Sequence, residues 1–290
     1  MKELVVISGK GGTGKTVITA SFAALAKNKV MADWDVYAAD LHLLLQPQVK
    51  ESHQFRSGKT AVLDMRACNQ CGKCIVACRF DAISPGFRVD PLSCEGCGVC
   101  NHICEQKAIK MEENLAGEWF ISETQYGPMV HAKLGIAEEN SGKLVTLVRN
   151  QAKLLAEKHK YNLVIIDGPP GIGCPVIASI AGATAVLVVT EPTMSGLHDL
   201  DRVAKLANHF KMPILVCINK YDLNTEMADR IKQYCLQNGY KLIGKIPFDT
   251  VVVESLVNKK PVVEYSNNGV SEAIKNIWEE CLRVITGVRQ

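Results

Sequence analysis

The sequence predicts an α/β fold: a mostly parallel, doubly wound sheet with helices on both faces, interrupted by a small inserted α+β domain. Three observations carry this expectation. Outside residues 60–113, short apolar runs alternate with longer segments of helical periodicity, the pattern of strand–helix–strand units. The first apolar run passes directly into a glycine-rich turn and a helical segment. The interruption is dense in cysteine, holding eight of the chain's twelve.

Taken in order, Leu4-Val5-Val6-Ile7 reads as a buried strand, since a short unbroken apolar run bounded by a turn suits a strand covered on both faces. It is followed by Gly9-Lys10-Gly11-Gly12-Thr13-Gly14-Lys15-Thr16, which satisfies G-x4-G-K-[ST], and then by helical periodicity over 15–28. Strand, glycine loop and helix form the context of a phosphate-binding P-loop. Glycines let backbone N–H groups face the phosphates, and the helix N-terminus adds its positive dipole. Lys15 is expected on the β- and γ-phosphates and the Thr16 hydroxyl on Mg²⁺.

Further strands are expected at 30–33, 163–167, 185–190, 214–219 and 242–246, and helices at 142–159, 196–210, 225–238 and 269–286. Ser141 is a candidate N-cap for the first of these. Loops at the carboxyl ends of such strands form the site in open parallel sheets. Lys15, Asp35, Asp167 and Asn219 all fall there.

The cysteine segment contains one spacing twice. Cys68, Cys71, Cys74 and Cys78 follow C-x2-C-x2-C-x3-C, and Cys94, Cys97, Cys100 and Cys104 repeat it. In bacterial two-cluster ferredoxins with this spacing, the fourth cysteine of each run ligates the other cluster. One [4Fe–4S] cluster is therefore expected on Cys68, Cys71, Cys74 and Cys104, and a second on Cys94, Cys97, Cys100 and Cys78. Cys78-Arg79-Phe80-Asp81-Ala82-Ile83 and Cys104-Glu105-Gln106-Lys107-Ala108-Ile109 extend the repeat, and the segment resembles the pseudo-twofold ferredoxin module. Arg79 and Glu105 stand where that module usually carries proline, a change at the sulfurs' hydrogen-bonding environment. His102, between two ligands, reads as exposed polar filler.

The form Lys-Gly-Gly-Thr-Gly-Lys-Thr over residues 10–16 resembles the deviant Walker A motif of the MinD/ParA/nitrogenase-iron-protein family, and the likeness to MinD-type ATPases with a ferredoxin insert covers nearly the whole chain. The resemblance implies ATP hydrolysis, with Lys10 reaching across a homodimer formed on ATP binding to stabilise transition-state charge. It makes Asp35, in Asp33-Trp34-Asp35, the water-positioning or base residue. Tyr37 departs from that pattern, which leaves Asp40 without a clear role. Asp167, closing the strand Leu163-Val164-Ile165-Ile166, becomes the Walker B carboxylate near Mg²⁺. Gly168-Pro169-Pro170-Gly171 becomes switch II, with Gly171 sensing the γ-phosphate. Asn219 becomes a base contact, and Pro247 and Asp249 belong to a loop closing over the base. Asn219-Lys220-Tyr221-Asp222 also fits the guanine motif N-K-x-D, so ATP rather than GTP follows from the resemblance alone.

The expected domains are an ATPase body of residues 1–59 and 114–290 and a 2[4Fe–4S] insert of residues 60–113, lying between switch I and switch II. Strand-like alternation in Trp119-Phe120-Ile121-Ser122 returns the chain to the body. Cys217, Cys235 and Cys281 lie in apolar patterns and are expected to be buried. Cys174, seven residues after Asp167, sits where the nitrogenase iron protein carries a cluster ligand, but no second cysteine suggests itself for a bridging site. The amphipathic segment from Ala273 to Ile285 has core spacing and no strong basic face, which favours packing over membrane binding.

Composition bounds the rest. A chain of 290 residues with net charge +3 has no global field for nucleic acid or acidic lipid. Met1-Lys2-Glu3 runs into the first strand without a signal-peptide pattern, and no apolar run is long enough to span a bilayer. Ferredoxin spacing without an export signal points to a reducing cytoplasm. The expected role is a nucleotide-gated ATPase in iron–sulfur or metallocofactor assembly or delivery, with an unidentified client metalloprotein. Two alternatives are an ATP-driven electron-transfer protein with a redox partner and, further off, a MinD/ParA-type positioning switch.

Overall fold

A computed structural model describes residues 1–35, 40–135 and 141–287. Tyr37 lies outside them, as does the Ser141 side chain. The elements in chain order are β1 (Lys2–Ser8), α1 (Lys15–Leu25), β2 (Lys29–Asp33), α2 (Leu41–Leu45), β3 (Gln48–Leu63), α3 (Lys73–Ala77) and α4 (Val99–Ile103). There follow β4 (Ile109–Thr124), β5 (Gly127–Leu134), α5 (Ser141–His159), β6 (Leu163–Pro170), α6 (Cys174–Ile180), β7 (Ala185–Thr190), α7 (Met194–His209) and β8 (Ile214–Asn219). A 3₁₀ turn (Tyr221–Leu223), α8 (Thr225–Gln237), β9 (Lys241–Ile246), α9 (Val251–Val257), α10 (Val262–Tyr265) and α11 (Gly269–Thr286) complete the chain.

The chain divides into two compact units. The first comprises Met1–Ser52, Trp119–Lys133 and Ser141–Gln290. Its strands follow the order β5-β2-β6-β1-β7-β8-β9. The pairs β5/β2, β2/β6, β6/β1, β1/β7, β7/β8 and β8/β9 are all parallel. Apolar sequence explains the centre: six of seven residues of β1 and all six of β7 are buried, as strands covered on both faces require. Amphipathic α11 lays Val270, Ile274, Ile277, Trp278, Cys281 and Ile285 into the core, so it packs as its spacing implied. Cys217 and Cys235 are buried too.

Arg149 on α5 joins elements that local sequence keeps apart. Its Nη2 pairs with Glu3 Oε2 on β1 at 2.6 Å. Nη1 donates to the carbonyl oxygens of Ala178, at 3.0 Å, and Ala181 at the end of α6. The guanidinium lies 5.7 Å from the Trp34 ring centre.

The second unit comprises His53–Glu118 and Leu134–Asn140, and the insert expected at 60–113 falls within it. Helices α3 and α4 pack against each other over an apolar cluster of Ala61, Ile83 and Ile109 with the buried thiols of Cys74 and Cys100. The internal repeat is structural as well as sequential. Left-handed backbone recurs at an interval of 26 residues: Gln70 and Gly96 (φ 57° and 64°), Gly72 and Gly98 (75° and 76°), Asp81 and Lys107 (51° and 51°).

Candidate functional site

The glycine loop joins β1 to α1 at the carboxyl edge of the sheet. Gly12 and Gly14 are left-handed, with φ of 80° and 86°. Gly14 must also be small, because a Cβ there would lie 2.3 Å from Asn219 Nδ2. Gly11 and Gly12 face open space, leaving backbone that a phosphate can approach. A cleft of about 690 Å³ is lined by residues Gly11 to Thr16, by Asp35, Asp40, Pro169 and Pro170, and by Leu43 and Leu256.

Lys15 is buried beneath the loop. Its ammonium lies 3.0 Å from Asp167 Oδ1 and 3.5 Å from Asp35 Oδ2. Burial works against the charged amine, but Asp167, Asp35 and Asp33 together hold its pKa above the usual lysine value. Burial pushes the Asp33 carboxyl well above the normal carboxylate range, with the charge of Asp167 adding to it. Asp33 accepts from the amides of Asp35 and Leu41, so it fixes the turn that presents Asp35. Thr16 and Thr19 donate to Asp167 at 2.7 and 3.0 Å. Thr16 Oγ1 and the Asp167 carboxylate are thus adjacent hard oxygen donors of the kind Mg²⁺ takes. Among the described residues the buried Thr13 hydroxyl has no hydrogen-bond partner, as expected of a group whose partner is a bound ligand.

Other expected residues are engaged within the protein. Gly171 N–H donates to Ser8 O at 2.9 Å. Asn219 Nδ2 donates to Thr13 O at 2.8 Å, and its Oδ1 accepts from Lys220 N–H, so this side chain braces the glycine loop. Asp249 accepts from Val251 N–H and from Asn268 Nδ2, and neither it nor Pro247 lines the cleft. Asp222 accepts from Phe248 N–H. Lys10 Nζ rests 3.4 Å from Glu191 Oε2 and 3.3 Å from Ser195 Oγ, while Lys220 holds the other Glu191 oxygen at 2.6 Å. Glu191 follows β7 directly. Its position immediately after a uniformly apolar strand was the signal that could have found it.

The second unit holds two cavities that divide the cysteines between the runs. One is lined by Cys68, Cys71, Cys74 and Cys104, the other by Cys78, Cys94, Cys97 and Cys100. Each takes three thiols from one run and the fourth from the other. Alternating left-handed residues around them are the backbone turns that form anion-holding nests. Among the described residues no three His, Cys, Asp or Glu side chains are placed to hold a single metal ion. Thiols ringing a cavity suit a polynuclear cluster, whose irons occupy separate corners, and a four-cysteine set fits a [4Fe–4S] group. His102 is exposed. Cys174 opens α6 and is exposed.

A parallel sheet with a glycine loop, a buried lysine and a threonine–carboxylate pair at its carboxyl edge defines a P-loop ATPase. The chain belongs to the CobQ/CobB/MinD/ParA nucleotide binding domain family, whose profile matches residues 4–262. It is 35% identical over 285 residues to the uncharacterized protein MJ0578 of Methanocaldococcus jannaschii, covering 96% of this chain and 95% of that one. It is 25% identical over 270 residues to the septum site-determining protein MinD of Synechocystis, covering 90% and 81%. In fold it resembles MinD complexed with Mg-ADP from Pyrococcus horikoshii, with a TM-score of 0.59 at 19% identity over 97% and 95% of the two chains.

Proposed function

We propose that this ATPase is an iron–sulfur protein whose nucleotide cycle times the assembly or delivery of a metallocofactor, with a redox role for its own bound clusters. The observation that carries the reading is the pair of cysteine-lined cavities, each completed by the fourth thiol of the opposite run. Two [4Fe–4S] clusters, when bound, supply one-electron storage. The chain's contribution is to fix four thiolates per site and to surround them with apolar side chains and backbone N–H groups.

At the nucleotide site, Lys15 leaves its carboxylates to neutralise the β- and γ-phosphates. Thr16 and Asp167 would hold Mg²⁺, which would screen phosphate charge. Asp35 orients the attacking water. Lys10 leaves Glu191 and reaches the nucleotide of a second copy, so ATP binding favours the homodimer. Gly171 exchanges the Ser8 carbonyl for the γ-phosphate and reports its loss through switch II.

The test is iron content after anaerobic purification, followed by incubation with an apo-acceptor protein with and without Mg-ATP. About eight irons are expected initially, falling to about four in Cys104→Ser, and iron should move only with ATP. Iron that never exceeds trace amounts would sink the cluster reading. Clusters that stay put in both conditions favour electron relay to a redox partner instead.

A further inference from the structure

The two cavities are built on one repeat, so residues 26 positions apart (94 − 68 = 26) serve as internal controls for one another. Two of the differences are in charge and a third is in polarity. Lys73 lines the first cavity, and Val99 occupies the matching place in the second. Asn69 lines the first, and Glu95 stands opposite it in the second. Gln106 in the first is matched by Phe80 in the second.

The matching buried thiols Cys74 and Cys100 both accept from backbone amides, so any difference in sulfur hydrogen bonding lies at the other ligands. Gln70 N–H donates to Cys68 Sγ and Ala108 N–H to Cys104 Sγ, both at 3.3 Å. Among the described residues, no such bond is made by the matching amides of Gly96 and Ala82 to Cys94 and Cys78. Lys73 also pairs with Glu105 at 2.5 Å, but Glu105 is exposed and does not line the cavity. Counting the charged residues next to the fourth ligands, Glu105 and Lys107 sum to zero in the first half and Arg79 and Asp81 in the second, which leaves Lys73 on one side and Glu95 on the other.

Reducing a cluster adds one negative charge. A lining cation and N–H donors aimed at sulfur stabilise that charge, whereas a lining carboxylate and an apolar cover oppose it. We infer that the two sites are electrically unequal: the site of Cys68, Cys71, Cys74 and Cys104 holds an electron more tightly than the site of Cys78, Cys94, Cys97 and Cys100. The inference rests on the cluster reading above. One electron delivered by a low-potential one-electron donor to the second site passes to the first. The second is then oxidised and the first reduced, and no proton or ligand moves. The pair thus has a built-in direction, set by Lys73, Glu95 and the two amides.

The experiment is an EPR-monitored potentiometric titration of the full-length, anaerobically prepared protein, with dithionite and titanium(III) citrate as reductants. It is run on the wild type, Lys73→Val, Glu95→Asn and Cys104→Ser. Lys73 is an exposed side chain, and its loss leaves the core intact. The wild type should show two midpoints differing by at least tenfold in equilibrium constant, which is 59 mV for one electron. Lys73→Val should lower the higher midpoint and Glu95→Asn raise the lower one. Cys104→Ser should remove the higher. Two full clusters with a single shared midpoint, or a Lys73→Val change confined to the lower couple, would overturn the inference while leaving the cluster reading intact. A protein without iron would overturn both.

Discussion

Replacing Arg149 by methionine tests a buried ion pair of the ATPase body. The guanidinium is 7% exposed, pairs with Glu3 at 2.6 Å and caps the end of α6 through two carbonyls. Removing one partner of a buried pair costs roughly 3–5 kcal/mol, because the other charge stays in low dielectric without compensation. Lys153 still lies 3.2 Å from the second Glu3 oxygen, which places the expected loss at the lower end, about 3 kcal/mol. At 2–4 °C per kcal/mol for a body of this size, Tm falls by about 6–12 °C. Calorimetry of the wild type, Arg149→Met, Glu3→Gln and the double variant completes a cycle. The double variant should recover at least about 1 kcal/mol, since the stranded carboxylate is gone. A single-variant loss below about 1 kcal/mol, or strict additivity in the cycle, would refute the reasoning.

Four further outcomes follow. Lys15→Ala should abolish ATP turnover, measured as phosphate release, while iron content stays at the wild-type value; loss of iron would show that the two regions do not assemble independently. Asn219→Ala deletes the 2.8 Å bond to Thr13 O, worth about 1 kcal/mol, so ATP should bind about fivefold more weakly in a fluorescence titration. Gly14→Ala, strained at φ 86° and crowded by the Asn219 amide, should bind no ATP; unaltered affinity in either variant would show that the loop is not braced from β8. His131 is held near pKa 4 by burial, with His42 adding to the effect. The unfolded chain therefore binds the extra proton between pH 6.5 and 4, and stability is lost as pH falls through that window. Urea unfolding should show stability about 2 kcal/mol lower at pH 5 than at pH 7 from this group, and His131→Phe should flatten that difference.

The central strands were legible because burial on both faces leaves them uniformly apolar, as in β1 and β7. The glycine loop was legible because its backbone demands glycine at Gly12 and Gly14. The long strands β3 and β4 were not read beyond the Trp119 segment. Gln48 to Gln54 are all exposed, so no apolar alternation marks them. Asp249 illustrates a second limit. A carboxylate beside a proline looks the same in sequence whether it faces a ligand or accepts from neighbouring amides, and only the partners at Val251 and Asn268 decide. Arg149 escaped for a related reason: its partners at Glu3, Ala178 and Ala181 lie far away in the chain and leave no local spacing.

The crossed sharing of cysteines orders events during translation. When Cys68, Cys71 and Cys74 leave the ribosome they line half of a cavity, and the chain must grow another 30 residues past Cys74 (104 − 74 = 30) before Cys104 can close it. Cys78 meanwhile waits for Cys94, Cys97 and Cys100. The compartment of Cys78, Cys94, Cys97 and Cys100 has all its thiols once Cys100 is made, four residues before Cys104 completes the other (104 − 100 = 4). Strand β6, which lies between β2 and β1, is synthesised only afterwards. The nascent protein thus completes its thiol compartments before it possesses a site that can bind ATP.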